Sequence, residues 1–372
     1  MAEALKILAV NPGSTSTKVA LFVGEEEVFS ENIMHDAGKL SEFETISDQL
    51  PYRTETILAV LAENGVDPAE ADAYAANGGG LLALCGGVYQ VNGILREHAR
   101  IGANGVQHPN MLAAQIIGAF ADKYGKPAFI VNPPDVDELC DLARVTGLKG
   151  VYRRSRAHPL NHKEMAIRFA EARGRKYEEL NLIVAHVGGG VSVAAHEHGL
   201  MVDQNDVVGG DGPMAPTRCG SIPVVDIIDL CFSGRYSKEE LQDKMQKTGG
   251  FVDHLGTSDA IEVTRRIEAG DRYAKLVFDA MIYQISKSIG AMAAVLKGRV
   301  DGVILTGGIA YSEYLSQRIS ESVSWIADVS VMPGESEMAA LSAGAIRVLT
   351  GREAALEYTG VPIWSGFDML LP

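Results

Sequence analysis

The stretch "NLIVAHVGGGVSVAAHEHG" (Asn181–Gly199) lies without gaps over "KILAVNPGSTSTKVALFVG" (Lys6–Gly24): apolar run, polar or glycine-rich loop, second apolar run and closing glycine coincide. A second echo joins "DAYAANGGG" (Asp72–Gly80) to "DGVILTGGI" (Asp301–Ile309), strand to strand and glycine pair to glycine pair. Literal identities are few, so the repeat rests on pattern. Short apolar runs bounded by turn residues read as buried strands, and two of them across a loop read as a hairpin. Together the echoes predict two similar α/β domains facing one another.

Outward from these hairpins, strands alternate with helical patterns. Lys6–Val10 and Val19–Val23 read as strands, Leu40–Leu50 and Thr54–Asn64 as helical. Met111–Tyr124 follows as a helix, "PAFIVNPP" as a strand closed by two prolines, and "DVDELCDLARVTG" as a short helix ended by Gly147. The alternation defines the α/β class. No low-complexity linker occurs, and the rhythm breaks near "GVYRRSRAHPLNHKE". The expected domains are therefore residues 1–150, joined again by 345–372, and residues 151–344.

A chain of 372 residues exceeds what one core usually supports, in line with two domains. With 47% apolar and 22% charged residues it has the composition of a soluble globular protein. No apolar run approaches the roughly 18 residues of a membrane span, and "MAEALK" has no signal-peptide profile, so a cytoplasmic location is expected. Cys85, Cys140, Cys219 and Cys231 lack C-x-x-C spacing, which argues against a zinc site or a disulfide framework. The net charge of −15 disfavours nucleic acid or an anionic membrane as partner. Any anionic substrate must then be met by local cations or backbone N–H groups.

The two hairpin loops carry such donors. Gly13 and Gly188, Gly189 and Gly190 allow backbone N–H groups to approach an anion, Ser14, Ser16 and Ser192 add hydroxyls, and Lys18 adds charge. The first loop is not a Walker A motif, because Lys18 leads into a strand and the second glycine is absent. Either hairpin alone is equally well a wide polar turn; two at equivalent positions favour phosphate binding. "VILTGGIAYSEYL" (Val303–Leu315) reads as strand, Gly-Gly, helix, a pattern that lets a nucleotide lie against the backbone at a helix N-terminus.

The N-terminal N-P-G-S-T-S-T-K, the central H-V-G-G-G-V-S, P-T-R-C-G at Pro216–Gly220, T-G-G-I at Thr306–Ile309 and the C-terminal P-G-E-S-E-M, in this order from about residue 6 to about residue 358, resemble the butyrate kinase branch of the acetate/butyrate kinases. T-R-C-G is closer to the acetate kinase wording. The resemblance implies the actin-like ATPase architecture: α/β, two ribonuclease-H-like domains arising from an internal duplication, with a cleft between them. It also implies reversible phosphoryl transfer between ATP and a short-chain carboxylate such as butyrate or a branched analogue, with Mg²⁺, in a homodimer or a multiple of dimers. A carboxylate is already a nucleophile at neutral pH, so the protein has to position two anions and screen their repulsion.

Carried over by position, Arg218 is implied to stabilise the moving phosphoryl group and hold the carboxylate, His158 to donate to transition-state oxygens, and Asn11 to complete the catalytic set. His162 matches a structural neighbour. Ser14, Ser16, Lys18, His186, Gly188, Gly189, Gly190 and Ser192 are the implied phosphate contacts, with Asp259, Gly307, Gly308 and Ile309 at the nucleotide. Glu337 and Asn132 occupy the metal positions; His108, with His98 as substitute, and Gly78 and Gly79 occupy the substrate pocket. Two departures stand out. "NGGGLL" puts Gly78 where the family pattern has arginine, and "VNPP" puts Asn132 where it has aspartate. The alternative is therefore a weak or silent nucleotide-binding regulator on the same fold, with Arg96, Arg100, Arg153, Arg154 and Arg156 as candidate replacement cations. A sugar kinase is disfavoured because nothing supplies the aspartate base that a hydroxyl acceptor needs.

Overall fold

The structure, a computed structural model, describes residues 4–334 and 336–367. Its contacts divide the chain into two units, residues 1–137 with 336–372, and residues 138–335. Both joins fall earlier than the expected 150/151 and 344/345, for local reasons. Asp137 still donates its N–H to Leu84 O in the first unit, whereas the Glu138 carboxylate accepts from Met201 N–H and pairs with Lys163 in the second. The later join would cut the helix Glu337–Leu349, which packs as one piece on the first sheet.

In the first unit β1 (Lys6–Pro12), β2 (Ser16–Val23) and β3 (Glu26–Met34) form an antiparallel meander. The strands β4 (Ala73–Ala76), β5 (Val88–Gln90) and β6 (Ala128–Val131) extend it, giving the order Leu356–Glu357, β5, β6, β4, β1, β2, β3. Ile7, Leu8, Ala9 and Val10 are fully buried, as a central strand covered on both faces requires, and so they read as an unbroken apolar run. β3 escaped sequence reading because in "EEVFSENIM" only Ile33 is buried; it is an edge strand whose glutamates discourage pairing with another chain.

The second unit repeats the plan with β7 (Asn181–Val187), β8 (Val191–Glu197), β9 (Leu200–Gln204), β10 (Gly302–Thr306) and β11 (Val329–Val331), in the order β11, β10, β7, β8, β9. The echo is exact at hydrogen-bond level in one place. Asp72 accepts from Lys6 N–H (2.8 Å) and returns its own N–H to Lys6 O, and Asp301 does the same with Asn181 (2.7 Å). β1 beside β4 and β7 beside β10 are both parallel, in the register the echo requires. The gapless overlay of the hairpins fails by one residue: Lys6 pairs with Val23, but Asn181 pairs with Glu197. The glycine loop is one residue shorter, so Gly24 (φ 62°) corresponds to His198 (φ 50°), not to Gly199.

Helical expectations hold in part. Thr54–Asn64 is covered by the helix Leu50–Glu63 and its C-cap, Asn64, and Met111–Tyr124 is the end of a 3₁₀ turn followed by the helix Ala113–Tyr124. Leu40–Leu50 is not one helix but a short one at Ala37–Ser41 and a 3₁₀ turn at Ser47–Gln49. "DVDELCDLARVTG" is helical only over Asp141–Arg144, because the backbone around Val136 is drawn into a bridge with Leu84. Among the described residues no helix is long and apolar enough to cross a membrane.

Candidate active site

β1 runs on through Asn11 and Pro12 and β2 begins at Ser16, so the turn itself is only Gly13–Thr15, closed by Gly13 N–H to Ser16 O at 2.7 Å. The surplus of polar residues has identifiable partners. Asn11 Nδ2 donates to Glu337 Oε2 (2.9 Å) at the start of the helix Glu337–Leu349, which joins an expected catalytic residue to an expected metal carboxylate. Beneath the loop lies Arg53, fully buried in the helix Leu50–Glu63, a residue that sequence reading missed because it falls between the two stretches read as helical, Leu40–Leu50 and Thr54–Asn64. Its guanidinium donates to Gly13 O (3.0 Å), Ser16 O (3.2 Å), Ser14 O (3.2 Å) and Thr17 Oγ1 (3.1 Å). The loop carbonyls thus turn inward, while Ser14 and Lys18 stay exposed and Ser16 half-buried, as anion contacts need. Burial, and next the Arg53 charge, push His35 beside Thr17 down to about 4.

Asn110 N–H donates to His108 Nδ1 (3.2 Å), so neutral His108 carries its proton on Nε2 and offers it to Ser14 Oγ at 3.3 Å. The expected substrate histidine and the expected phosphate serine are neighbours. A Cβ on Gly79 would lie 2.6 Å from the Asn110 side chain, and one on Gly78 (φ +75°) 2.9 Å from Ile130. The backbone at Gly78 is therefore shaped against an arginine. The two departures from the family pattern lie close together here, since Asn77, next to Gly78, donates through Nδ2 to Asn132 O (3.0 Å). Buried Asn132, in a left-handed conformation (φ 38°) that asparagine tolerates, accepts from Gly87 N–H through Oδ1 at 2.7 Å. The oxygen expected at a metal instead fastens β5 to β6. His98 is engaged elsewhere, on Tyr358 OH (2.9 Å). Arg96, Arg100 and Arg153 are held in ion pairs with Asp122, Glu97 and Asp203, and Arg156 lies 3.9 Å from Asp206, while Arg154 is exposed.

In the second unit, two i,i+4 spacings build a histidine cluster. His158, at the N-cap of the helix Pro159–Glu171, and His162 lie one turn apart, and Ser192 and His196 share a face of β8. Ser192 Oγ sits between His158 Nδ1 (2.7 Å) and His162 Nε2 (2.8 Å). His162 Nδ1 reaches His196 Nε2 (3.3 Å), and His196 Nδ1 reaches Tyr177 OH (2.6 Å). Ser192 was expected at a phosphate; it is fully buried with its hydroxyl held from both sides by imidazoles, and serves the cluster instead. His186, cross-strand from Ser192, stacks on His158 with centroids 4.1 Å apart and gives its Nδ1 proton to Asn161 Oδ1 (2.9 Å). Neutral His186 therefore has only a lone pair on Nε2, the opposite of what a phosphate contact needs.

Pro216–Gly220 is sewn to the glycine loop by Thr217 Oγ1 to Gly189 O (2.9 Å), and to residues 245–252 by Gly249 N–H to Thr217 O and Val252 N–H to Pro216 O. Gly249 and Gly250, unremarked in the sequence, are required there: a Cβ on Gly250 (φ +59°) would collide with Ala215 O. Arg218 lies against Gly190, where any side chain would strike its guanidinium. No ion pair holds that guanidinium among the described residues, although Asp206 acts on it at longer range and its half-burial lowers its pKa. Asp259 is exposed and caps the helix Ala260–Glu268. The Gly-Gly pair does not open an α-helix: Gly308–Tyr311 is a 3₁₀ turn, and the helix Glu313–Val323 starts later at its own cap, Ser312. A Cβ on Gly307 would collide with Val187 O, so backbone packing already accounts for that glycine.

Burial holds His158, His162, His186 and His196 below the usual histidine range, with Arg218 adding to the effect at His158 and His186. Each is neutral when folded but takes up a proton near pH 6.5 when unfolded, so the unfolded state binds more protons below that pH. Their contribution to stability is complete above pH 6.5 and is lost as the pH falls toward about 4, the value for His186. Calorimetry is expected to show the unfolding temperature of this unit dropping steeply across that window. A flat profile from pH 7 to 5 would contradict the neutral cluster.

A model of the acetokinase family matches residues 139–330, almost the whole second unit. Over 353 residues, 95% of the chain and 99% of each relative, the sequence is 45% identical to a probable butyrate kinase of Clostridium botulinum and 47% identical to probable butyrate kinase 2 of Caldanaerobacter subterraneus. Among solved structures, Porphyromonas gingivalis acetate kinase superposes with a TM-score of 0.75 at 19% identity, covering 93% of this chain and all of that one. Francisella tularensis propionate kinase gives 0.66 at 18%, covering 91% and 98%. The fold is thus that of the acetate and propionate kinases, an actin-like ATPase architecture. The chain belongs to the acetokinase family.

Proposed function

We propose that this protein transfers a phosphoryl group reversibly between ATP and a short-chain carboxylate of the butyrate type, giving an acyl phosphate and ADP. The observation that carries the reading is Arg218: a half-buried guanidinium laid on Gly190 beside neutral His158, with no ion pair among the described residues. Such a cation is poised for a mobile anion, and stabilising charge in flight is what this reaction asks of a protein. Within the first unit, the Ser14, Ser16 and Lys18 loop, backed by Arg53, is read as a phosphate contact, and His108 with Gly79 as a carboxylate contact. Trapping the acyl phosphate with hydroxylamine tests the assignment; ATP binding without a trapped product would favour the regulator.

Mg²⁺, when bound with the nucleotide, supplies charge neutralisation on the phosphates. No cluster of three or more His, Cys, Asp or Glu suited to a metal exists among the described residues, which fits an ion carried by ATP and held by one carboxylate, Glu337, itself oriented by Asn11. Asn132→Asp retains the oxygen that Gly87 needs and adds a charge, so the Mg²⁺ concentration for half-maximal rate is expected to fall several-fold, about 1 kcal/mol. An unchanged metal titration would mean residue 132 acts only on the backbone. We also read the protein as cytoplasmic, from four scattered cysteines without the spacing of a disulfide framework, and as a homo-oligomer. The latter is supported by Val224, Val225, Ile228 and Phe232, exposed together on one helix.

A further inference from the structure

The chain of contacts His158, Ser192, His162, His196, Tyr177 has one link between each pair of neighbours, so its protons run either inward or outward; in the one further arrangement Ser192 accepts from both His158 Nδ1–H and His162 Nε2–H, which leaves the hydrogen of that fully buried hydroxyl without an acceptor. If they run inward, His158 Nδ1–H donates to Ser192, Ser192 to His162 Nε2, His162 Nδ1–H to His196 Nε2 and His196 Nδ1–H to Tyr177 OH. The Tyr177 proton is then left over, in a side chain that is almost completely buried and has no other hydrogen-bond partner among the described residues. If they run outward, Tyr177 donates to His196 Nδ1, His196 Nε2–H to His162 Nδ1, His162 Nε2–H to Ser192 Oγ, and Ser192 to His158 Nδ1. Every internal donor then has an acceptor, and the unmatched proton lies on His158 Nε2, at the partly exposed end of the chain.

We propose that Tyr177, His196, His162 and Ser192 form a one-way relay that holds neutral His158 in its Nε2–H tautomer, so that His158 always presents a proton donor beside Arg218. Unsatisfied buried hydroxyl groups are rare because they forfeit their hydration without replacement, and this selects the outward direction. Burial, followed by the charges of Glu138 and Glu178, raises the Tyr177 pKa well above its usual range, which keeps that proton in place. Lys163, paired with Glu138 and lying over the Tyr177 ring, adds to burial in keeping His196 neutral. His186 is excluded from the relay by its separate bond to Asn161 and has the opposite tautomer, Nδ1–H. Two stacked imidazoles thus differ in role: His158 donates from Nε2 and His186 accepts there. Tyr177, His196, His162 and Ser192 are positioning residues.

The role of the donor rests on the kinase reading, but the tautomer does not, and the two are tested separately. Long-range ¹H–¹⁵N NMR of histidine-labelled protein, without substrates, reads which ring nitrogens are protonated. The expected pattern is Nε2–H on His158, His162 and His196, and Nδ1–H on His186; Nδ1–H on His158 would overturn the proposal. Tyr177→Phe keeps the ring and removes the terminal donor, so His158 is expected to show a mixture of tautomers. The turnover number should fall roughly tenfold while KM for ATP and carboxylate stays within about twofold. Ser192→Ala cuts the relay at its other end and is expected to give the same split between turnover and KM. An unaltered His158 tautomer in both variants would overturn the relay. The expected tautomers in a protein that forms no acyl phosphate would support the relay and overturn the kinase reading.

Discussion

Arg218→Ala is expected to lower kcat at least about a hundredfold with little change in unfolding temperature. A charge that acts mainly on the transition state is worth roughly 3 kcal/mol or more, and each 1.4 kcal/mol is about tenfold in rate. The fold should survive because the loop is held by its backbone, through Ala215 N–H to Arg218 O, Gly249 N–H to Thr217 O and Cys219 N–H to Met245 O, and not by the guanidinium. Arg218→Lys should recover little, since an ammonium lacks the planar fork that holds two oxygens together. Removing the charge also relieves His158 and His186 of one of the causes that lower their pKa values. Near wild-type turnover in steady-state kinetics would take Arg218 out of the mechanism.

The second large effect is expected at Arg53, and it is of a different kind. Arg53→Met leaves three loop carbonyls and the Thr17 hydroxyl without their buried donor. Breaking such an arrangement costs about 3 kcal/mol or more, well above the effect of an average substitution. Urea titration should therefore show a lowered midpoint. Calorimetric titration of the variant that remains folded should show weakened ATP binding, because the inward turn of the carbonyls is what leaves the Ser14 and Lys18 side chains outside. Ser14→Ala combined with Lys18→Ala separates the two effects: it should weaken ATP binding without moving the urea midpoint. A destabilised Arg53→Met protein with unchanged ATP affinity would reduce Arg53 to a core residue and detach the loop from phosphate.

The duplication and the α/β class were legible because they are written in local pattern. A strand buried on both faces is apolar nearly throughout, and one that runs into a tight loop is followed at once by glycine or a polar residue, here Gly13, Gly188, Asn77 and Gly307, so β1 and β7, β4 and β10 announce themselves. Arg218 and His158 were singled out from the sequence because each stands in a short contiguous motif, P-T-R-C-G and A-H-P-L-N-H-K-E. Tertiary structure decided everything that joins distant segments. Arg53 gives no signal in the sequence, yet it organises the loop; Ser192 looks like a phosphate contact in sequence and is held between His158 and His162. Gly78 and Asn132, which read as a lost cation and a lost carboxylate, prove with Asn77 to be parts of one backbone arrangement around Gly87. The physical reason is common to all of them. Periodicity reports which face of an element is buried, whereas the partner of a buried polar group depends on which other segment is packed against that face, and each such group has to find one there.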